Sequence, residues 1–201
     1  MVLRLPAVPA LDAVWLVGCA SGRPQRDGGR PGHGSDDRFH DCSGASPCSR
    51  RKRGTHNQGL GRSKGGFTAK IHLRVNAGGL PVALAITGGE VSDYKGYSPV
   101  MEGGRDPKVL IADKGYDADF IRNDIEKRGG VAVIPSRRSR KVQTPIDGHI
   151  YALRNRIERC FNKLKNARRL ATRYDKTASS YLGFVQITSI RLWIRHFVNR
   201  S

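Results

Sequence analysis

Apolar and polar residues alternate from Phe67 to Val75, with Phe67, Ala69, Ile71, Leu73 and Val75 on one side and Thr68, Lys70, His72 and Arg74 on the other. A period of two is that of a half-buried strand. Asn76-Ala77-Gly78-Gly79 supplies turn residues, and Leu80 to Thr87 (LPVALAIT) reads as the antiparallel partner, so a hairpin is predicted. From Glu90 to Met101, residues Asp93, Tyr94, Tyr97 and Met101 recur at helical spacing, but Gly96 and Pro99 keep that helix short. Lys108 to Ala112 (KVLIA) is a continuous apolar strand of the kind covered on both faces. Asp117 to Arg128 is an amphipathic helix with Phe120, Ile121 and Ile125 inward, stopped by Gly129-Gly130, and Val131 to Ile134 is the next buried strand. Tyr151 to Lys165 reads as one long helix in which Leu153, Ile157, Phe161 and Leu164 form an apolar stripe. Beside it, Tyr151, Arg154, Glu158 and Lys165 follow offsets of 3, 4 and 7 along a polar face. The last helix, Ser179 to Asn199, has a wide apolar side that packs in the core or against a partner. Strands alternating with helices predict an α/β fold.

The first 53 residues break this pattern. From Ser21 to Arg53 the chain is crowded with Gly, Pro, Ser and Arg and has almost no Leu, Ile or Val, so it cannot bury enough apolar surface to offset its ordering entropy. The expected division is a disordered or out-of-frame basic segment over residues 1–53 and a folded domain over 54–201. Leu16-Val17-Gly18-Cys19 looks like a lipoprotein cleavage box, but Pro6, Pro9 and Asp12 suit an apolar signal core poorly. The four cysteines lack CxxC pairing, and His33, His40, Cys42, Cys48 and His56 match no zinc spacing. No segment approaches the roughly 18 consecutive apolar residues of a membrane span, so no membrane partner is expected.

Charge narrows the partner. The chain carries 36 Lys and Arg against 17 Asp and Glu, a formal charge of +19, which points to a polyanion and first to nucleic acid. The turn Gly59 to Gly66 (GLGRSKGG) is basic but lacks a phosphate-loop pattern. Pro135 to Lys141 (PSRRSRK) is a second basic loop, in which Arg137, Arg138, Arg140 and Lys141 are candidate phosphate contacts.

Two acids stand out against this background. Asp113 ends a buried strand, where ligands bind in open α/β sheets, although a turn or N-cap aspartate explains its position equally well. Glu158 lies among the cations of a basic helix, where a pair of salt bridges is the plain alternative. Brought together, the two carboxylates can hold Mg²⁺, which takes oxygen ligands and could activate a nucleophile for attack on a phosphodiester.

At these residues the sequence resembles the DDE transposases of bacterial insertion sequences. Asp113-Lys114-Gly115-Tyr116 is similar to the family's second-acid motif, D-x-G-[YF], and Tyr151, Arg154, Glu158 and Lys165 match its third-acid signature, Y-x₂-R-x₃-E-x₆-K. The continuation Arg168 to Lys176 (RRLATRYDK) is similar too, and the resemblance covers about Gly54 to Asn199. It implies a ribonuclease-H-like mixed sheet flanked by helices, with Asp113 and Glu158 as catalytic metal ligands for Mg²⁺ or Mn²⁺. It also implies that Tyr151, Arg154 and Lys165 contact or orient DNA, that the partners are terminal inverted repeats, target DNA and a second copy in a homodimer, and that the setting is the nucleoid of a bacterial cytoplasm.

The family's first aspartate, on the opening strand, has no convincing counterpart. Asp36, Asp37 and Asp41 fall near the right place, but DDRFHDCS does not alternate like a central strand. Codons for Asp36 to Arg53 can be chosen that, shifted one base forward, read MIDSTIVRAHPHAAGAKG, which has the missing strand's character. The expectation is therefore an opening strand missing or disrupted by an out-of-frame segment, and a chain left with little or no strand transfer.

Overall fold

The computed structural model describes residues 14–24, 59–63, 66–175 and 177–199. Its strands are β1 (Val14–Pro24), β2 (Gly61–Ser63), β3 (Gly66–Val75), β4 (Pro81–Gly88), β5 (Val109–Ala112), β6 (Val131–Val133) and β7 (Thr172–Arg173). Its helices are α1 (Tyr97–Met101), α2 (Asp119–Lys127), α3 (Gly148–Ala152), α4 (Asn155–Lys165), α5 (Arg168–Ala171) and α6 (Ala178–Val198). The main strand order is β2-β3-β1-β5-β6, with β4 on β3 and the short β7 on the end of β1. β1 runs antiparallel to β3 and parallel to β5, and β5 runs parallel to β6.

The predicted hairpin is β3 and β4, closed by Asn76, whose Oδ1 accepts from the backbone N–H of Gly78 and of Leu80 at 3.0 Å each. Gly79 takes φ +77° there, a conformation a side chain disfavours. The half-buried reading of β3 needs correction. Ala69, Ile71, Leu73 and Val75 are buried as expected, but so are Thr68, His72 and Arg74 on the opposite side, because helices cover both faces of the sheet. One core holds Ile71, Leu73, Ile111, Ile157, Phe161, Leu164 and Val185 between the sheet and α4 with α6. The other holds Tyr97, Val100, Leu110, Tyr116, Ile121 and Ile125 between the sheet and α1 with α2. Phe120 was expected to point inward; it is 47% exposed and lies edge-on to Tyr94 and Tyr97.

A second point concerns the opening strand. It was expected to be missing or disrupted; β1, which carries no acid and is drawn from residues upstream of the segment where the disruption was placed, fills the central position between β3 and β5. Asp36, Asp37, Asp41 and the out-of-frame reading of Asp36 to Arg53 lie outside the described residues. A third concerns the long helix, which is two: α3 and α4 meet at Leu153 and Arg154, where the bonds tighten from Leu153 N–H to Ile150 O and from Arg154 N–H to Tyr151 O. Both residues keep right-handed helical dihedrals, so the polar face survives the tightening. α6 buries Tyr181, Val185, Ser189 and Trp193, four residues apart, against the core.

Candidate active site

β5 ends at Ala112, and the chain then turns through a short 3₁₀ segment, Lys114–Tyr116. Asp113 is half-buried at that turn, and its Oδ1 accepts from the Gly115 N–H at 2.8 Å. The turn-aspartate reading is thus realised, with one carboxylate oxygen engaged in it. Gly115 is needed for a local reason: a Cβ there would stand 2.9 Å from Asp113 Oδ1 and 2.9 Å from Asp93 Oδ2. The glycine of the D-x-G motif therefore makes room for two carboxylates at once.

Asp93 was not singled out from the sequence as a site residue. It follows β4 and arrives next to Asp113 through tertiary packing alone, held by the Lys70 ammonium, which donates to Asp93 Oδ1 at 2.8 Å and to Val91 O at 2.7 Å. A second carboxylate missed by the sequence reading is Asp117, four residues after Asp113 and buried. It accepts from Arg122 Nε and Nη2 at 3.1 and 2.9 Å, from Arg140 Nε at 3.0 Å, and from the Arg137 N–H at 2.8 Å. Burial pushes the Asp117 carboxyl up, but the bonds from Arg137, Arg122 and Arg140 outweigh it and hold the group below the usual carboxylate range. Its motif position, DKGYD, was the available signal.

The basic loop is thereby tied to the second-acid turn. Arg137 donates to Lys114 O at 3.1 Å and to Gly115 O at 2.7 Å and lies over the Tyr94 ring, while Arg140 also pairs with Asp119 at 2.6 Å. Arg137 and Arg140 are spent on the protein; Arg138 and Lys141 are exposed.

The third-acid face is built differently. Arg154 Nη1 pairs with Glu158 Oε1 at 2.7 Å, and the same guanidinium lies 5.5 Å from the centre of the Tyr151 ring. Burial raises the Tyr151 phenol pKa; the Arg154 cation opposes this, and Asp113 and Glu158 both add to the rise. Tyr151, Arg154 and Glu158 thus form one contiguous face, and the charge of Asp113 is felt at the Tyr151 phenol. Lys165 is exposed near the C-terminal end of α4.

For a divalent ion the fit is incomplete. Carboxylate oxygens suit Mg²⁺, but Asp113 has one oxygen engaged by Gly115, and Glu158 is neutralised by Arg154. Among the described residues no three of His, Cys, Asp and Glu gather as a metal site. The third position is taken by β1. Val17 pairs with Ala112, which brings Gly18 level with Asp113. A Cβ at Gly18 would meet Ile157 Cδ1 at 2.9 Å and the Phe161 ring at 3.2 Å, so α4 packs onto the strand where a further ligand would stand. The sequence of β1, VWLVGCASGRP, contains no acid.

Three comparisons bear on this arrangement. The chain is 38% identical over 133 residues to a transposase for insertion sequence element IS6501 of Brucella ovis, spanning 64% of this chain and 100% of that relative. It is 29% identical over 130 residues to a transposase for insertion sequence element IS402 of Burkholderia cepacia, and it spans 59% of that protein's length. Among solved structures, the Mos1 strand transfer complex aligns over 90% of this chain and 53% of that one at 11% identity and a TM-score of 0.32, too distant to define the fold. The transposase DDE domain family matches residues 33–193, a span that begins after β1 and includes Asp113, Tyr151, Arg154, Glu158 and Lys165. That match covers most of the chain and both acid motifs, and the chain belongs to the transposase DDE domain family.

Proposed function

We propose that this chain is the ribonuclease-H-like catalytic domain of an insertion-sequence transposase that still binds DNA but has lost metal-dependent cleavage and transfer of element ends. The observation that carries the second half is the strand beside Asp113: β1 offers no acid, and Gly18 is closed over by Ile157. Metal catalysis of phosphoryl transfer needs ligands held in a rigid set, and two carboxylates do not make one. The fold assignment is supported by a mixed sheet with helices on both faces, one acid at a strand end and the other on the helix packed over it.

DNA binding is supported by the charge of +19 and by exposed Arg138, Lys141 and Lys165. Tyr151 and Arg154 would orient the DNA end, the ring stacking and the guanidinium moving from Glu158 to a phosphate. The partners in this reading are terminal inverted repeats and target DNA in a bacterial nucleoid. None of the helices in the described residues is long and apolar enough to cross a membrane. A homodimer belongs to the same reading: Ile187, Ile190, Ile194 and Phe197 are exposed along α6 at the 3-4-3 spacing that lets two copies of a helix interlock.

The test is to incubate the purified chain with duplexes carrying the element ends in Mg²⁺ and in Mn²⁺. Binding by gel shift without nicking or joining is expected; metal-dependent cleavage of those ends would overturn the proposed loss. In a parallel calorimetric titration, Asp113→Ala and Glu158→Ala should change divalent-ion uptake little, because the wild type already binds weakly.

A further inference from the structure

Basic groups of the described residues fall into two kinds. Lys70, Arg122, Arg128, Arg140 and Arg154 each face a carboxylate. Others, Arg138, Lys141 and Lys165 among them, are exposed and face no carboxylate among the described residues, and several of this second kind gather around one cleft. The cleft, about 670 Å³, lies between the β3–β4 turn, the C-terminal end of α4 and the last turns of α6. Lys163, Arg191, Arg195 and His196 line it with Asn166 and Asn199, and no acid does. Lys163, Arg191 and Arg195 are exposed and make no ion pair among the described residues.

Helix ends explain only part of this. Cations in the last turn of a helix offset its dipole, an effect that fades beyond that turn. Arg195 and His196 fit that role on α6, but Arg191 lies about two turns before the helix end. Arg191 and Arg195 are also four residues apart, where like charges repel by a few tenths of a kcal/mol. With no acid to relieve them, the pair is best accounted for by an external anion.

The walls are pre-formed. Asn76 locks the β3–β4 turn through Gly78 and Leu80, and Arg156 donates to Ala77 O beside it. The Trp193 indole N–H donates to Pro81 O at 2.7 Å, fixing α6 to the start of β4. Leu164 buries the adjoining turn of α4. A fixed backbone frame keeps the spacing between the cations constant when a ligand arrives. The cleft is also distinct from the acid face: Lys163 is five residues from Glu158, about 140° around α4, and Asn166 is about 12 Å along the axis.

We propose that this cleft binds the sugar-phosphate backbone of a DNA duplex at a second place, separate from the Asp113 and Glu158 face. The proposal rests on the reading of the chain as a DNA-binding transposase domain. Three cations and two side-chain amides in a polar groove suit phosphates spaced along a strand, and the absence of an aromatic platform from the lining favours duplex backbone over unstacked bases.

The experiment measures fluorescence anisotropy of a short labelled duplex across a NaCl titration. The variant Lys163→Ala/Arg191→Ala/Arg195→Ala should bind at least about tenfold more weakly and lower the salt slope by about 2 to 3. The control Lys95→Ala/Lys108→Ala/Lys127→Ala removes the same charge from other exposed sites and should stay within about threefold of wild type, with a slope change below about 1. Equal losses in the two variants would overturn the cleft while leaving DNA binding intact. No binding by the wild type would overturn the DNA-binding reading itself. A benzophenone attached through Asn199→Cys, in a chain whose four native cysteines are replaced by serine, should cross-link to duplex DNA, and failure to do so while the duplex is bound would also overturn the cleft.

Discussion

Asp113 and Glu158, the two acids of the proposed site, stand in opposite physical settings. Asp113 stands at a corner where almost every charge has a partner: Asp93 with Lys70, Asp117 with Arg122 and Arg140, and Arg137 with two backbone carbonyls. Glu158 is about half exposed on a helix and has one ion pair, to Arg154 four residues back. The corner is a product of folding, in which buried charges hold two loops in place. The helix face is free surface whose groups can change partners when a ligand arrives. In the proposed reading, the same net positive charge serves architecture in one region and recognition in the other.

The strongest way to break that contrast is Asp117→Ala. The carboxylate is 1% exposed, and its loss takes an acceptor from Arg122, Arg140 and the Arg137 N–H, leaving Arg122 with Ile134 O and Arg140 with Asp119. Removing one partner from a buried ion pair costs about 3–5 kcal/mol when the other is left uncompensated, so urea unfolding should show a loss near the low end, about 3 kcal/mol. A loss below about 1 kcal/mol, the ceiling for an exposed pair, would mean the corner is no more structural than the helix face.

His72 sharpens the contrast by pH. It lies beneath the corner, with one ring nitrogen 3.1 Å from the Tyr116 hydroxyl and the other 2.8 Å from Thr87 Oγ1. Burial, opposed by Asp93 and assisted by Lys70, lowers its pKa from 6.5 to about 4. The folded state holds the ring neutral, while the unfolded chain protonates it near 6.5. This contribution to stability is therefore complete above about pH 6.5 and lost as pH falls towards 4. Stability should drop by about 2 kcal/mol between pH 7.5 and 5. His72→Gln should flatten that window in urea titrations at each pH; an unchanged slope would remove His72 as its source.

How far each half could be read in the sequence follows from the same contrast. The α4 face was legible because its residues are local: Tyr151, Arg154 and Glu158 touch through helical spacing, and even the break between α3 and α4 leaves them in contact. The hairpin and the buried β5 were legible from periods and runs. The corner was not, because Asp93 meets Asp113, and Arg137 meets Lys114, across about twenty residues or more of chain, and no local pattern encodes that. β3 looked half-buried because charged and polar side chains can be covered when they are paired, as His72 is. β1 was missed for another reason: its apolar run, Val14-Trp15-Leu16-Val17, is only four residues long and gives way to glycine, serine and proline, and its place is set by pairing with β3 and β5.

Gly115→Ala tests how tightly the corner is drawn. The added methyl must displace two carboxylate oxygens at 2.9 Å: Asp93 Oδ2, whose companion Oδ1 is held by Lys70, and Asp113 Oδ1, which accepts from the Gly115 N–H itself. Overpacking against side-chain ends that can shift by a few tenths of an ångström should cost about 1 kcal/mol. The expected sign of rearrangement is a weakened Lys70 to Asp93 pair, read as a downfield or upfield change in the Lys70 ammonium NMR signal. A neutral Gly115→Ala with that signal unmoved would show that the two acids do not share this space.

The smallest effect is expected where function is concentrated. Glu158→Ala removes an acceptor from an ion pair whose members are 32% and 49% exposed, and such four-apart pairs contribute about 0.3–0.5 kcal/mol on a helix surface. Its thermal unfolding should therefore lie close to wild type, while Arg154, released from its partner, should bind duplex DNA more tightly by up to about threefold, as one less negative charge opposes the phosphates. Arg154→Ala should be equally silent in stability and opposite in binding. If instead Glu158→Ala unfolds the chain as Asp117→Ala does, the exposed helix face is a structural element after all. The division between a corner that holds the fold and a face that meets the ligand would then fail at the residue on which it was first drawn.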